Sequence, residues 1–97
     1  MESTLTLTAR VRPTDDVLFQ DIQGEAVLLN LATGVYLGLD QVGTRLWQLL
    51  TEHEQLGAVV DAMLGEYDVS RERLERDVMS LSTRMLSEGL VREVTDA

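Results

Sequence analysis

The chain has 97 residues, of which 44% are hydrophobic, and this is enough apolar material for one modest core but excludes a second domain. Cysteine is absent, which excludes both a disulfide framework and a thiolate metal site. Seventeen acidic residues stand against eight arginines with no lysine, and the resulting formal charge of -9 disfavours phosphate backbones and favours cationic partners.

The sequence indicates neither export nor a membrane span. Its first residues, MESTLTLTAR, lack the basic start and the apolar run of a signal peptide. No later apolar run approaches the length that crosses a bilayer. We therefore expect a soluble, cytoplasmic protein that does not bind membranes.

Residues 4–12 alternate between polar and apolar side chains, the period of a β-strand, and Pro13 terminates the pattern. The nearest partner for such a strand across the turn at Pro13 is the segment 17–22. This pairing would cover one edge of the sheet that follows. Exchange of the strand with a second copy of the chain is the alternative.

Three short strands at about 17–22, 26–31 and 35–39 are predicted to form an antiparallel meander. Each turn between them contains a glycine, Gly24 in the first and Gly34 in the second, because tight turns need a positive φ. The last strand has no charge, proline or bulge to guard it, and an unguarded edge strand can bind an extended peptide.

Three helices are expected after this strand. Asp40 is the predicted N-cap of the first, Gly65 ends the second, and the third and longest runs from the N-cap Ser70 to Gly89. The apolar stripe that the first helix should direct inward comprises Val42, Leu46, Trp47, Leu49 and Leu50.

The third helix carries an apolar arc that is wider than one core contact requires. Its stripe comprises Leu74, Val78, Leu81 and Met85. Met79 and Leu86 extend the arc to one side. After this helix, residues 90–94 form either a short terminal strand or an extended tail.

No residue pattern indicates catalysis, a cofactor or a metal site. The only histidine, His53, lies in a polar stretch without partners, and Asp15-Asp16 follows a proline in a turn, where acids are common. The glycines at positions 34, 38 and 43 have no Lys-Ser or Lys-Thr after them, so they do not form a phosphate loop. We expect no enzyme activity.

Several segments, in this order and spacing, resemble the PqqD-like proteins, also called RiPP recognition elements. The longest is AVLLNLATGVYLGLDQVGTRLWQLL at 26–50, and shorter ones are YDVS at 67–70, Asp77-Val78 with Leu81, and GLV at 89–91. The pattern is most similar to the stand-alone recognition proteins of lasso-peptide pathways. The resemblance extends over about 17–91, which we take as the core of a single domain spanning 1–97.

The resemblance implies an α+β fold of the winged helix-turn-helix type, with a three-stranded antiparallel meander followed by three helices. It also implies a non-catalytic protein that binds the leader region of a precursor peptide and delivers it to a leader peptidase and a cyclase. In that family the leader adds as a strand beside the third strand of the meander and lies against the third helix. The peptide-binding residues implied here are Val35, Tyr36, Leu37, Gly38 and Leu39 on the strand, with Val78, Leu81 and Met85 as an apolar floor bordered by Asp77 and Arg84.

Two alternatives remain open at this point. The same architecture serves winged-helix regulators that bind nucleic acids, although the charge of -9 argues against such a partner. A dimerisation module in which 4–12 or 35–39 pairs with another copy is the second, and we expect a monomer or a weak dimer. The sequence also does not decide whether Leu81 or the side of Met79 and Leu86 faces a bound peptide.

Overall fold

The computed structural model describes residues 5–94 and has the expected α+β architecture. Its elements are β1 (Arg10–Pro13), β2 (Val17–Ile22), β3 (Glu25–Asn30), β4 (Tyr36–Gly38), α1 (Gln41–His53), α2 (Leu56–Leu64), α3 (Arg71–Ser87) and β5 (Val91–Val94). The strands form two antiparallel sheets, one with the order β2-β3-β4 and one that pairs β1 with β5. No helix within 5–94 has the length and apolarity that crossing a membrane requires.

The meander follows the turn chemistry of the sequence. Gln23 and Gly24 both have positive φ, 56° and 87°, so the first hairpin closes through two left-handed residues, and Asp21 accepts a hydrogen bond from the Gly24 N–H at 2.8 Å. Gly34 closes the second turn with φ 79°. Both predicted turns and all three strands of the meander are therefore confirmed.

The prediction of a strand over 4–12 that pairs with 17–22 is wrong. Residue 4 lies outside the described part, only Arg10–Pro13 is a strand, and this strand pairs with β5 instead of β2. The reason lies at the start of α2, which has no side-chain cap, so its first N–H groups need other acceptors. The Leu56 N–H donates to the Ala9 carbonyl at 3.1 Å and the Gly57 N–H donates to the Leu7 carbonyl at 2.8 Å.

This arrangement changes the edges of the meander. Because β1 lies in the other sheet, no described strand covers β2, and the meander has two open edges, β2 and β4. Residues 91–94 form a strand, which decides between the two forms expected for the end of the chain.

The helices begin and end as predicted. Asp40 caps α1 by accepting from the Gly43 N–H at 2.8 Å, Ser70 caps α3 by accepting from the Arg73 N–H at 3.2 Å, and Gly65 follows α2. Val42 is an exception to the predicted stripe of α1, since it is 44% exposed. The helical wheel assigns it to the apolar face but does not tell how far the neighbouring elements extend along the helix.

Candidate functional site: the open edge of β4 and helix α3

The register of β4 decides which of its backbone groups are available. The Asn30 N–H donates to the Val35 carbonyl and the Leu39 N–H donates to the Ala26 carbonyl, both at 2.8 Å, and Leu37 lies opposite Leu28 between them. In an antiparallel ladder the bonding direction alternates along the strand. The N–H and C=O groups of Tyr36 and Gly38 therefore point away from β3, toward the open edge.

The side chains of this strand alternate between two faces of the sheet. Leu37 and Leu39 are buried, each with 6% exposure, and belong to the hydrophobic core. Tyr36 projects from the opposite face and is 72% exposed. Val35, which precedes the strand, is 37% exposed. The side chains of Leu37 and Leu39 therefore do not reach the open edge, and the backbone groups that point to it are those of Tyr36 and Gly38.

Helix α3 contributes less surface than its sequence pattern indicates. Val78 and Met85, two of the three residues predicted as an apolar floor, are both completely buried in the core. Leu81 is half-buried and packs at the rim of the core. Of these three side chains, only Leu81 offers surface to a peptide in this structure.

An ion pair shows how α3 is turned relative to its neighbours. Arg71 donates to Asp61 of α2 at 2.6 Å and lies 3.5 Å from Glu75. Residues three to four positions apart share one side of a helix, so the side that continues from Glu75 through Met79 faces α2. Leu81 lies on the other side, together with Asp77 and Arg84, which are both exposed.

Asn30 is a structural residue of this site that the sequence analysis missed. It ends β3, and its side chain is almost fully buried. Its Oδ1 accepts from the N–H groups of Ala32 at 2.9 Å and Thr33 at 3.3 Å, while its Nδ2 donates to the carbonyls of Glu88 and Gly89, both at 3.2 Å. Asn30 thus joins the turn that leads into β4 to the end of α3. An asparagine before a Thr-Gly turn is a recognisable signal for the bonds to the turn N–H groups. It does not indicate the bonds to the carbonyls at the end of α3.

An aromatic contact between β2 and α1 anchors the meander at the edge opposite β4. Phe19 of β2 stacks on Trp47, with ring centroids 6.4 Å apart and an interplanar angle of 10°. Trp47 is buried and Phe19 is partly exposed, so the contact lies at the rim of the core. The meander is therefore held to the helices both at β2 and, through Asn30, at the turn before β4.

Most arginines of the described part are engaged by carboxylates. The pairs are Arg10 and Arg12 with Glu54, Arg45 with Glu66, Arg71 with Asp61 and Glu75, Arg73 with Asp77, and Arg76 with Glu72. A hydrogen bond from Arg12 lowers the pKa of the Glu54 carboxyl, and two hydrogen bonds from Arg45 lower the pKa of the Glu66 carboxyl. Arg84 forms no ion pair with any residue between 5 and 94.

The site contains no arrangement that would hold a metal. Among the residues that the structure describes, no three His, Asp or Glu side chains are close enough together to bind an ion. What the site does offer is main-chain pairing at β4 and a partly apolar surface on α3, which is the chemistry of peptide recognition.

Comparison with known proteins agrees with this geometry. The family model of the coenzyme PQQ synthesis protein D, PqqD, matches residues 25–91, from the start of β3 to the start of β5. The chain belongs to the PqqD family. The resemblance to PqqD-like RiPP recognition elements noted from the sequence is thereby confirmed. Among curated proteins, no sequence matches this PqqD-family chain.

Two solved structures are similar to this member of the PqqD family. TbiB1 in complex with the TbiA(beta) leader peptide is 39% identical, with a TM-score of 0.80 over 88% of this chain and 99% of the other. Lasso peptide synthetase B1 complexed with the leader peptide is 25% identical, with a TM-score of 0.77 over 87% of this chain and 99% of the other. Both relatives were solved with a leader peptide bound.

Proposed function

We propose that this chain binds the leader region of a ribosomally made precursor peptide of the lasso type and delivers it to a leader peptidase and a cyclase, without catalysing a step itself. The observation that carries the proposal is the open edge of β4, where the backbone groups of Tyr36 and Gly38 point outward and can pair with an extended peptide. The leader-bound structures of two proteins with the same fold support it.

The orientation of α3 supports a specific path for the leader. The side of α3 that carries Met79 is turned toward α2, which leaves the side of Leu81 for the peptide. On this path Leu81 is the apolar contact, Val78 and Met85 shape the floor from beneath, and Asp77 and Arg84 meet charges on the leader. Arg84 is suited to this role because it has no ion-pair partner in residues 5–94.

The charge distribution favours a peptide over a nucleic acid. The helix that would enter a DNA groove in a winged-helix regulator is α3, and its arginines at 71, 73 and 76 are all near carboxylates. Together with the formal charge of -9, this leaves no basic surface on α3 for a phosphate backbone within residues 5–94. The same charge attracts a basic leader segment.

Proline substitutions test the strand pairing directly. Tyr36→Pro removes an N–H that points to the open edge, and proline is tolerated in an edge strand at such positions. The matched control Tyr36→Ala removes the ring but retains the N–H. Asp21→Pro removes an N–H on the other open edge, where the register also directs the Asp21 N–H outward. Because it also removes the carboxylate that accepts the Gly24 N–H at 2.8 Å, Asp21→Ala is its matched control. Leu37 is unsuitable for a test, because a charge at this core position would unfold the protein.

Binding should be measured by fluorescence anisotropy, with the labelled leader of the precursor encoded beside this gene and with the TbiA(beta) leader peptide. We expect Tyr36→Pro to weaken binding by at least about tenfold and Asp21→Pro to leave it within about twofold. The reverse result would move the leader to the edge of β2. If Tyr36→Pro and Asp21→Pro both bind the leader as tightly as the wild type, strand addition would be rejected. Leu81→Asp, at a half-buried position, should also abolish binding in a folded protein.

A further inference from the structure

Neither the backbone conformation nor the packing around it requires a glycine at position 38. Its φ is not in the left-handed region, and a Cβ atom added to it would meet nothing within 4 Å. Glycine weakens a strand relative to almost any other residue, and within strands it often marks a place where another chain or a ligand approaches closely. The open space beside Gly38 is therefore a candidate binding feature.

The space beside Gly38 belongs to an open depression of about 380 Å³ at the end of β4, which we call the Gly38 depression. It is lined by Ile22, Glu25, Ala26, Val27, Gly38, Leu39 and Asp40. Ile22 is 56% exposed and Val27 is half-buried, so the depression has an apolar floor that nothing in residues 5–94 covers. Leu39 contributes from below, where it belongs to the core.

Two carboxylates stand at the rim of the Gly38 depression. Glu25 and Asp40 are both exposed, and neither forms an ion pair with an arginine of the described part. Asp40 already accepts the Gly43 N–H that caps α1, whereas no side-chain hydrogen bond is seen for Glu25 within residues 5–94. An apolar floor with an acidic rim fits a side chain that is aliphatic along its stem and cationic at its tip, which is the chemistry of arginine and lysine.

We propose that the Gly38 depression takes one arginine or lysine side chain of the bound leader strand, with its stem on Val27 and its charge at Glu25. This inference rests on the proposed function. Residues that lie directly opposite each other on neighbouring strands project their side chains from the same face of the sheet. A leader residue beside Gly38 therefore projects over the depression, and the missing Cβ allows it to lie across β4 onto Val27. The depression selects the leader by charge at one position.

Two variants test the depression, and a third serves as their control. Gly38→Val fills it at a position where the added Cβ meets nothing, so the variant should fold at least as stably as the wild type. Glu25→Arg reverses the charge of the rim. Gln20→Val introduces the same side chain on the same face but in β2, where it pairs with Val27 from the far side and does not line the depression. The probe is the leader peptide encoded beside this gene, with each of its basic residues replaced in turn by glutamate.

For the wild-type leader, Gly38→Val should raise the Kd by about tenfold or more, and Gln20→Val by less than about twofold. For one basic leader position, replacement by glutamate should weaken binding to the wild-type protein by about tenfold, and Glu25→Arg should restore it by a similar factor. Undiminished binding by Gly38→Val, or no leader position that is rescued by Glu25→Arg, would overturn the inference while leaving leader binding intact. Failure of the wild-type protein to bind its leader would instead overturn the proposed function, and this inference with it.

Discussion

The strongest structural prediction concerns Asn30, which joins the turn before β4 to the end of α3. Replacing it with alanine removes four side-chain hydrogen bonds, two to turn N–H groups and two to the carbonyls of residues 88 and 89. Three of these bonds are 3.2 Å or longer, and the fourth lies in a partly exposed turn where water can replace it. We therefore expect a loss of about 2 to 3 kcal/mol in the free energy of unfolding.

The corresponding shift in Tm follows from the size of the chain. Unfolding 97 residues carries an entropy of about 0.2 kcal/mol per kelvin, so this loss lowers Tm by about 10 to 15 °C. Differential scanning calorimetry at pH 7 measures the shift directly. A control at an exposed position of the same sheet, Gln20→Ala, should change Tm by no more than about 2 °C.

The variant Asn30→Asp separates the two pairs of bonds. Its carboxylate can still accept from the turn N–H groups, but it turns a negative oxygen toward the carbonyls of Glu88 and Gly89, where Asn30 Nδ2 donates at 3.2 Å. These oxygens also lie at the negative end of the α3 dipole. At pH 7 we therefore expect a loss at least as large as that of Asn30→Ala, about 3 kcal/mol.

The effect of pH on this variant has a definite sign. Burial and the facing carbonyls raise the pKa of the introduced carboxyl above its unfolded value, so the folded state binds the proton more tightly. The stability deficit relative to the wild type should therefore shrink as the pH falls from 7 to 4, whereas the deficit of Asn30→Ala should stay constant. Two results would falsify the role assigned to the Nδ2 group. One is a stability deficit of Asn30→Asp that does not change with pH, and the other is an Asn30→Asp variant that is as stable as the wild type at pH 7.

Three further predictions concern turns and charge. Gly34 has a φ of 79° and open space around an added Cβ, so Gly34→Ala should lower the free energy of unfolding by about 1 kcal/mol. Gly89 has a φ of 72°, and its added Cβ would lie 2.8 Å from Asn30 Nδ2, so Gly89→Ala should lower it further. Urea unfolding of both variants tests this order. Because Arg12 lowers the pKa of Glu54, the pair stabilises the fold above the unfolded pKa of that carboxyl, and this contribution is lost as the pH falls through its folded pKa. The Tm difference between the wild type and Glu54→Gln should therefore be largest near pH 7 and disappear in acid. Leader binding should weaken moderately as salt is raised from low to physiological concentration, and an unchanged Kd would exclude attraction by the acidic field.

The parts of the fold that depend on neighbouring residues were predictable from the sequence. Glycines with positive φ mark both meander turns, and Asp40 and Ser70 cap their helices within three residues of themselves. The alternation in residues 4–12 was misleading, because the carbonyls of Leu7 and Ala9 bond to N–H groups of α2 that are far away in the sequence. No local pattern contains that information, since it depends on which helix start lacks a side-chain cap.

The candidate site shows the same division. The open edge at β4 was predictable, because a strand without charge or proline is a local property. The accessible part of α3 was not, since periodicity identifies Val78 and Leu81 alike as apolar and does not distinguish the fully buried one from the half-buried one. The contribution of Asn30 was equally hidden, as its amide meets carbonyls 58 and 59 positions further along the chain.

The two open edges of the meander are places where two copies of the chain could pair. Exposed edges are usually protected by charges or proline within the strand, and β4 has neither. The formal charge of -9 provides protection at longer range, because two copies repel each other while a basic peptide is attracted. On this argument the acidity of the chain does more than keep it in solution. If the proposed function holds, the acidity selects which extended strand reaches the edge of β4, and the outward N–H and C=O groups of Tyr36 and Gly38 set how that strand pairs.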